Sequence, residues 1–257
     1  MASAPQSANL PLFYKDLMPL NSRDHGEWKS KTTETASWMV GQHAIPLTAE
    51  EFVHASRNYP IVFSVADNPV PLALMGLNEG VNTFFDDDGK LINPAYVPAY
   101  ARRYPFMLAK LNANTEELSL CFDPTSDLLG DFAEGAALFE NGEPSESCKA
   151  TLEFCRNFEE AGFRTQAFVD ELVKHDLLMD GEVSIQQQGN AQPFVYRGFK
   201  MVDQEKLRDL RGDVLRSMNQ SGMLALIFAH LFSLELMSDV FGRQVQQGKG
   251  PVPVPAA

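Results

Sequence analysis

The stretch SGMLALIFAHLFSLELMSDVF, from Ser221 to Phe241, is the most hydrophobic in the chain. Between Gly222 and Met237 almost every residue is apolar, interrupted by His230, Ser233 and Glu235. A membrane span requires about 20 predominantly apolar residues. Here a His and a Glu fall inside the run, with Ser238 and Asp239 just after it, so a core helix and no transmembrane segment are expected. Upstream, Val202-Asp203 precedes QEKLRDLRGDVLRSM. Asp203 is placed to cap a helix, and Val202 and Leu207 to form a hydrophobic staple across its start. Leu207, Leu210, Val214, Leu215 and Met218 recur at helical spacing and predict one amphipathic helix over 204–218. A striped helix followed by one apolar almost all round predicts that the second lies inside, covered by the first.

The rest of the second half reads as helices and a hairpin. Cys148, Leu152, Cys155 and Phe158 mark one helix that Gly162 should stop. Thr165 is placed to cap another, carrying Phe168, Val169, Leu172 and Val173 on one stripe. Val183–Gln187 and Phe194–Met201 predict a hairpin joined through Gln188–Asn190.

In the first half, a short strand is expected at Trp38–Val40. Thr48-Ala-Glu-Glu51 offers a capping box for a short helix reaching about Arg57. Pro60 ends that helix, and Ile61–Val65 reads as a buried strand. Leu72–Leu77 and Val81–Phe85 predict the next strands of an antiparallel meander. Asp86-Asp-Asp-Gly89 reads as a solvated acidic turn: a calcium loop would need a glutamate at its twelfth position, where Val97 stands. Asn93-Pro94 predicts a helix start, which would place Tyr96, Tyr100 and Arg103 or Tyr104 on one face. Phe106–Leu111 and Leu118–Phe122 follow as strands around a turn at Asn112–Glu116. The expected fold class is α+β, with a mostly antiparallel sheet in the first half and a helical second half packed on a central apolar helix. A flexible N-terminus (1–12) precedes a single domain (13–244), sheet-rich over 13–125 and helix-rich over 145–244. A disordered Pro-rich tail (245–257) ends the chain.

The formal charge of −13 argues against nucleic acid and anionic lipid as partners, because both require a basic surface. Cys121, Cys148 and Cys155 are too few, and odd in number, for a disulfide framework. With no basic segment and apolar run of signal-peptide form at the start, cytoplasmic residence is expected.

Short motifs point to little chemistry. His25-Gly-Glu27 has the H-x-E spacing of metal-dependent oxygenases, with His43 or His54 as conceivable third ligands, and is a weak metal candidate. Glu50 and His54, four apart, fit a surface pair. His230, in mid-helix, needs a hydrogen-bond partner if it is buried. No G-x-S-x-G elbow, Walker loop, dinucleotide fingerprint or zinc-type C-x-x-C is present. No catalytic residue and no cofactor is assigned. The Tyr- and Arg-dense AYVPAYARRYPF makes Tyr96, Tyr100, Arg102 and Arg103, together with His230, the candidate binding residues.

Several blocks in order, HAIPLTAEEFVHASRNYPIVF, GKLINPAYVPAYARRYPF, FVYRGFKMVDQEKL and GMLALIFAHLFSL, resemble the bacterial SapC family over about Phe13 to Phe241. The family takes its name from a protein associated with a paracrystalline surface layer. The resemblance implies company with TonB-dependent receptors, flavin-dependent halogenase-like proteins and cupin-like oxygenases, and carries over no catalytic residue. The expected function is therefore a non-enzymatic accessory protein recognising a peptide or protein partner in a surface-protein or TonB-dependent uptake system. Homo-oligomer formation is compatible with the sequence. The alternatives are a metal-dependent oxygenase-like enzyme or halogenase helper subunit, and an S-layer structural component.

Overall fold

Five short antiparallel strands form the largest sheet, in the order Leu178–Asp180, Phe199–Val202, Ile61–Ser64, Pro71–Leu74, Ala44–Pro46. They belong to a computed structural model that describes residues 10–111, 117–187 and 192–251. The turns expected at Asn112–Glu116 and Gln188–Asn190, the first nine residues and the last six lie outside those described residues. The architecture is α+β, with strands mostly in the first half and helices mostly in the second.

The chain forms two compact units, each discontinuous in sequence. In the first, Met1–Glu34 with Arg102–Glu160, the strands Phe106–Lys110 and Leu118–Phe122 pair as expected, and Met18–Pro19 adds to the edge. Phe106, Leu108, Phe122, Leu129, Leu138 and Cys155 make its apolar centre. The second unit, Thr35–Ala101 with Ala161–Ala257, holds the five-stranded sheet and the hairpin Val183–Ile185/Phe194–Tyr196.

Local signals were realised where a side-chain acceptor and its backbone donors lie within a few residues of each other. Glu51 reaches back to the Thr48 amide at 2.8 Å and to its hydroxyl at 2.9 Å, forming the arm of the expected box. Its other oxygen accepts the Tyr96 hydroxyl at 2.8 Å and the Ala99 amide at 2.6 Å, so this buried carboxylate ties two segments together. Asp203 caps Gln204–Arg208 by accepting from the Glu205 and Lys206 amides, and Val202 and Leu207 are both buried beside it. The Asp86 side chain accepts from the Asp88 and Lys90 amides, and Gly89 takes the positive φ (77°) that closes this acidic turn.

Other expectations are corrected. Residues 37–39 form a 3-10 turn instead of a strand. Val81–Phe85 forms no strand: the Asn82 side chain accepts from the Phe84 and Phe85 amides and donates to the Met39 and Gln42 carbonyls, replacing a ladder. Asn93-Pro94 starts no helix, and only Ala99–Arg102 is helical. The Tyr96 amide is drawn to the Asn58 side chain, and Pro98 disfavours helical geometry at Val97, so Tyr96 and Tyr100 do not share a helix face. The two helices expected around Gly162 are one, Glu146–Lys174. Thr165 sits inside it, donating to the Ala161 carbonyl while accepting the Ala49 amide, and so cannot act as an N-cap. The single helix expected over 204–218 breaks at Asp209–Arg211 into Gln204–Arg208 and Gly212–Gln220.

The apolar stretch forms the helix Met223–Ser233, a 3-10 turn Leu234–Leu236 and the helix Met237–Gln246. It is long and apolar enough to cross a membrane by length and composition. One face is buried, through Met223, Ile227, His230, Ser233 and Met237, and it meets the sheet where His230 and Ser233 bond to Ile61 and Met237 packs with Val62 and Phe199. Enclosure on all sides is the expectation corrected here: Phe228 and Phe232 are exposed. The preceding helix is its neighbour without being its cover.

Replacing Glu51 by Ala strands four donors, three of them buried or nearly so, and should lower the unfolding free energy by about 3 kcal/mol. Urea denaturation measures it, with Glu50→Ala, which loses only an exposed ion pair to Arg164, expected to change stability by less than about 1 kcal/mol.

Candidate functional site

A groove of about 590 Å³ opens on the second unit, between the C-terminal half of the long helix Glu146–Lys174 and the successive helices Gly212–Gln220 and Met223–Ser233. Its floor is apolar: Ala49, Ala167, Phe168, Val214, Met218, Met223 and Leu226 line it. The helical period explains this floor. Residues three and four apart share a face, so Val214 and Met218 on one helix, and Met223 and Leu226 on the next, line the same side of the groove.

The rim is charged but largely self-paired. Arg164 Nε lies 2.5 Å from Glu50 Oε1, Lys174 Nζ lies 2.7 Å from Glu171 Oε1, and His175 Nε2 lies 3.5 Å from Glu171 Oε2. Exposed pairs of this kind are worth about 0–1 kcal/mol each and rearrange readily. The groove thus offers apolar contact area with a charge-balanced border, the arrangement of a surface that receives a side-chain ridge.

The residues singled out in the sequence lie elsewhere. Tyr96 is engaged with Glu51 through its hydroxyl, and its carbonyl accepts the Tyr59 hydroxyl. Tyr100 is buried. In the first unit, exposed Arg102 stacks on Phe154, 5.3 Å from the ring centroid. Arg103 is buried, 3.2 Å from Glu159 and 4.3 Å from the Phe158 ring. These aromatic and guanidinium groups serve packing, and none of them lines the groove.

The metal candidates are not brought together. His25 is buried between Trp28 and Phe122, with Nδ1 3.2 Å from the Asn21 amide, whereas Glu27 is exposed. Among the described residues no group of three or more His, Cys, Asp or Glu is placed to hold a metal ion.

His230 is fully buried and bridges two strands. Its Nδ1 donates to the Ile61 carbonyl at 2.8 Å, and its Nε2 accepts the Val202 amide at 3.0 Å. A carbonyl can only accept and an amide only donate, so this pair of contacts assigns the neutral tautomer. Ser233, one turn on, accepts the Ile61 amide at 2.9 Å and donates to the His230 carbonyl at 2.6 Å. Burial pushes the imidazole pKa down from 6.5 to about 4, against the opposing pull of its bond to Ile61.

The groove was not legible in advance, because its lining is drawn from three segments distant in sequence. The signal that was present is the exposed Ala167, on a helix otherwise striped by Phe168, Val169 and Leu172. A small residue there leaves the floor open.

A histidine buried neutral contributes stability that is fully present above its unfolded pKa of 6.5 and is lost as pH falls towards 4, because the unfolded chain takes up the proton first. The contribution lost by about pH 4.5 should be roughly 2–3 kcal/mol. In His230→Gln the unfolding free energy should therefore fall by that much less between neutral pH and pH 4.5 than in the wild type, as read from urea melts at the two pH values.

Comparison with known families matches residues 20–240 to SapC, a span that takes in both units and most of the chain. Searches of curated proteins and of solved structures returned no match. The match over that span agrees with the ordered blocks of sequence from His43 to Leu234, and the chain belongs to the SapC family.

Proposed function

We propose that the protein is a non-enzymatic binding protein that receives a helical segment of a peptide or protein partner in the groove between the long helix and the helices Gly212–Gln220 and Met223–Ser233. The observation that carries this reading is the apolar floor from Ala49 to Leu226 bordered by charges already paired with one another. An amphipathic helix meets such a groove through residues at i, i+3, i+4 and i+7. Its apolar ridge displaces water from Phe168, Met218 and Leu226, and the rim pairs reorient at small cost. Rigid walls favour the reading too, since three packed helical segments preorganise the floor and lower the entropic cost of binding. Work within a surface-protein or TonB-dependent uptake system is the setting that the family resemblance suggests for the partner.

The test is a library of amphipathic helical peptides titrated against the full chain by fluorescence anisotropy. Ala167 is exposed on the groove wall, so Ala167→Trp fills the groove without disturbing the core. Peptides that bind the wild type should lose at least about ten-fold in affinity to this variant, the loss expected when a well-packed central contact is blocked, with an unchanged thermal midpoint. Equal affinity for both proteins, or turnover of a substrate by the purified chain alone, would overturn the reading.

A further inference from the structure

The outward face of the apolar helix carries a pattern that the groove does not use. Ala225, Phe228, Phe232, Glu235 and Asp239 are all exposed and follow one another at steps of three, four, three and four. That alternation is the spacing of a coiled-coil seam, which keeps one line of side chains facing a partner helix. Phe228 and Phe232 stand at its centre, 43% and 72% exposed, with their rings stacked on each other at 5.8 Å. The same helix already satisfies its inward face through Met223, Ile227, His230, Ser233 and Met237. An outward aromatic ridge flanked by half-buried Leu224, Leu231 and Leu236 is the kind of patch that marks an interaction surface.

We infer that this face is a self-association surface: two copies of the chain pair through Ala225–Asp239 seams running antiparallel about a twofold axis near His230. The order of residues along the seam selects both the occupant and the direction. A twofold centred there sets Phe228 of one copy against Phe232 of the other, twice. It sets small Ala225 opposite Glu235, and carries Asp239 towards the start of the partner helix at Gly222. The seam is thus self-complementary, as an isologous interface requires.

Charge acts in the same sense. The helix begins at Gly222, which has no side chain to cap it, and its N-terminus carries partial positive charge. Antiparallel pairing brings Asp239 of the second copy to that end. Parallel pairing would instead set Glu235 against Glu235 and Asp239 against Asp239. A lipid surface is the poorer occupant, because helices that lie on membranes carry Lys and Arg beside the apolar face. This face carries two acids on a chain of net charge −13.

The area sets the strength. A seam of about 21 Å, fourteen residue steps at about 1.5 Å each, falls towards the small end of specific interfaces, which bury less than about 1,200 Å² in total. The dimer is therefore weak and concentration-dependent. Phe228 and Phe232 do not line the groove, so self-association and peptide binding stand or fall separately.

The test is sedimentation velocity of the full chain from about 1 µM to about 1 mM, the range in which interfaces of this size dissociate. A monomer–dimer shift is expected across it. Phe232→Glu should remain monomeric throughout, with unchanged circular dichroism, and Phe232→Ser should weaken the dimer. Cysteines test direction, since native Cys121, Cys148 and Cys155 are buried. A mixture of Phe228→Cys and Phe232→Cys proteins should oxidise to a cross-linked dimer faster than either variant alone. Monomers at every concentration, a dimer indifferent to Phe232→Glu, or cross-linking equally fast in the single variants would overturn the inference. So would flotation of the wild-type monomer with phosphatidylcholine vesicles that Phe232→Glu abolishes.

Discussion

The strands Ile61–Ser64 and Phe199–Val202 exchange ladder bonds at Ser64 and Phe63, and continuing the same register sets Val202 opposite Ile61. At that point the backbones no longer meet, and the His230 imidazole stands between them, donating to one and accepting from the other. Ser233 supplies the matching contact to the Ile61 amide. Buried backbone groups left without partners cost about 1–3 kcal/mol each, so this clasp sets how the apolar helix meets the sheet. Met223, Ile227 and Met237 follow it inward. The opposite face, with Phe228 and Phe232, is then turned outward by the helical period alone.

The same device recurs across the second unit. Its strands are three or four residues long, too short for ladders to hold the connecting segments. Buried polar side chains hold them instead. Glu51 collects the Thr48 turn and the segment around Tyr96 and Ala99. Asn82 organises the loop after Pro71–Leu74, and Gln244 accepts the Leu77 amide while donating to Asn78 and the Lys249 carbonyl. Each group sits in a low-dielectric interior where a satisfied hydrogen bond is strong and a broken one expensive. The result is a scaffold of irregular segments that is nonetheless specified at definite points, and it gives the groove and the outward helix face rigid supports.

Some of this could be read in one dimension. The capping arm of Glu51, the Asp203 cap with Val202 and Leu207, and the acidic turn at Asp86–Gly89 are local, because donor and acceptor lie within four residues of each other. The strands Ile61–Ser64, Phe106–Lys110 and Leu118–Phe122, the hairpin around Val183–Tyr196 and the α+β class are set by apolar runs and turn residues. The SapC resemblance rested on blocks in order and needed no contact map. The need of His230 for a partner followed from its apolar neighbours.

The remainder was decided by contacts between distant residues. Gly162 stops a helix only if nothing favours continuing it, and Thr165 caps only if its hydroxyl is free. Here that hydroxyl serves Ala161 and Ala49, and the helix runs on. Tyr96 left its expected helix because Asn58 and Glu51 claimed its amide and hydroxyl. The groove joins Ala49, Ala167 and Leu226, and periodicity says which residues share a helix face without saying which faces meet. By itself the sequence determined that most of Ser221–Phe241 would be helical and apolar. Only the tertiary structure decided that one face is buried through His230 and the other is left outward, because a sheet covers a helix from one side.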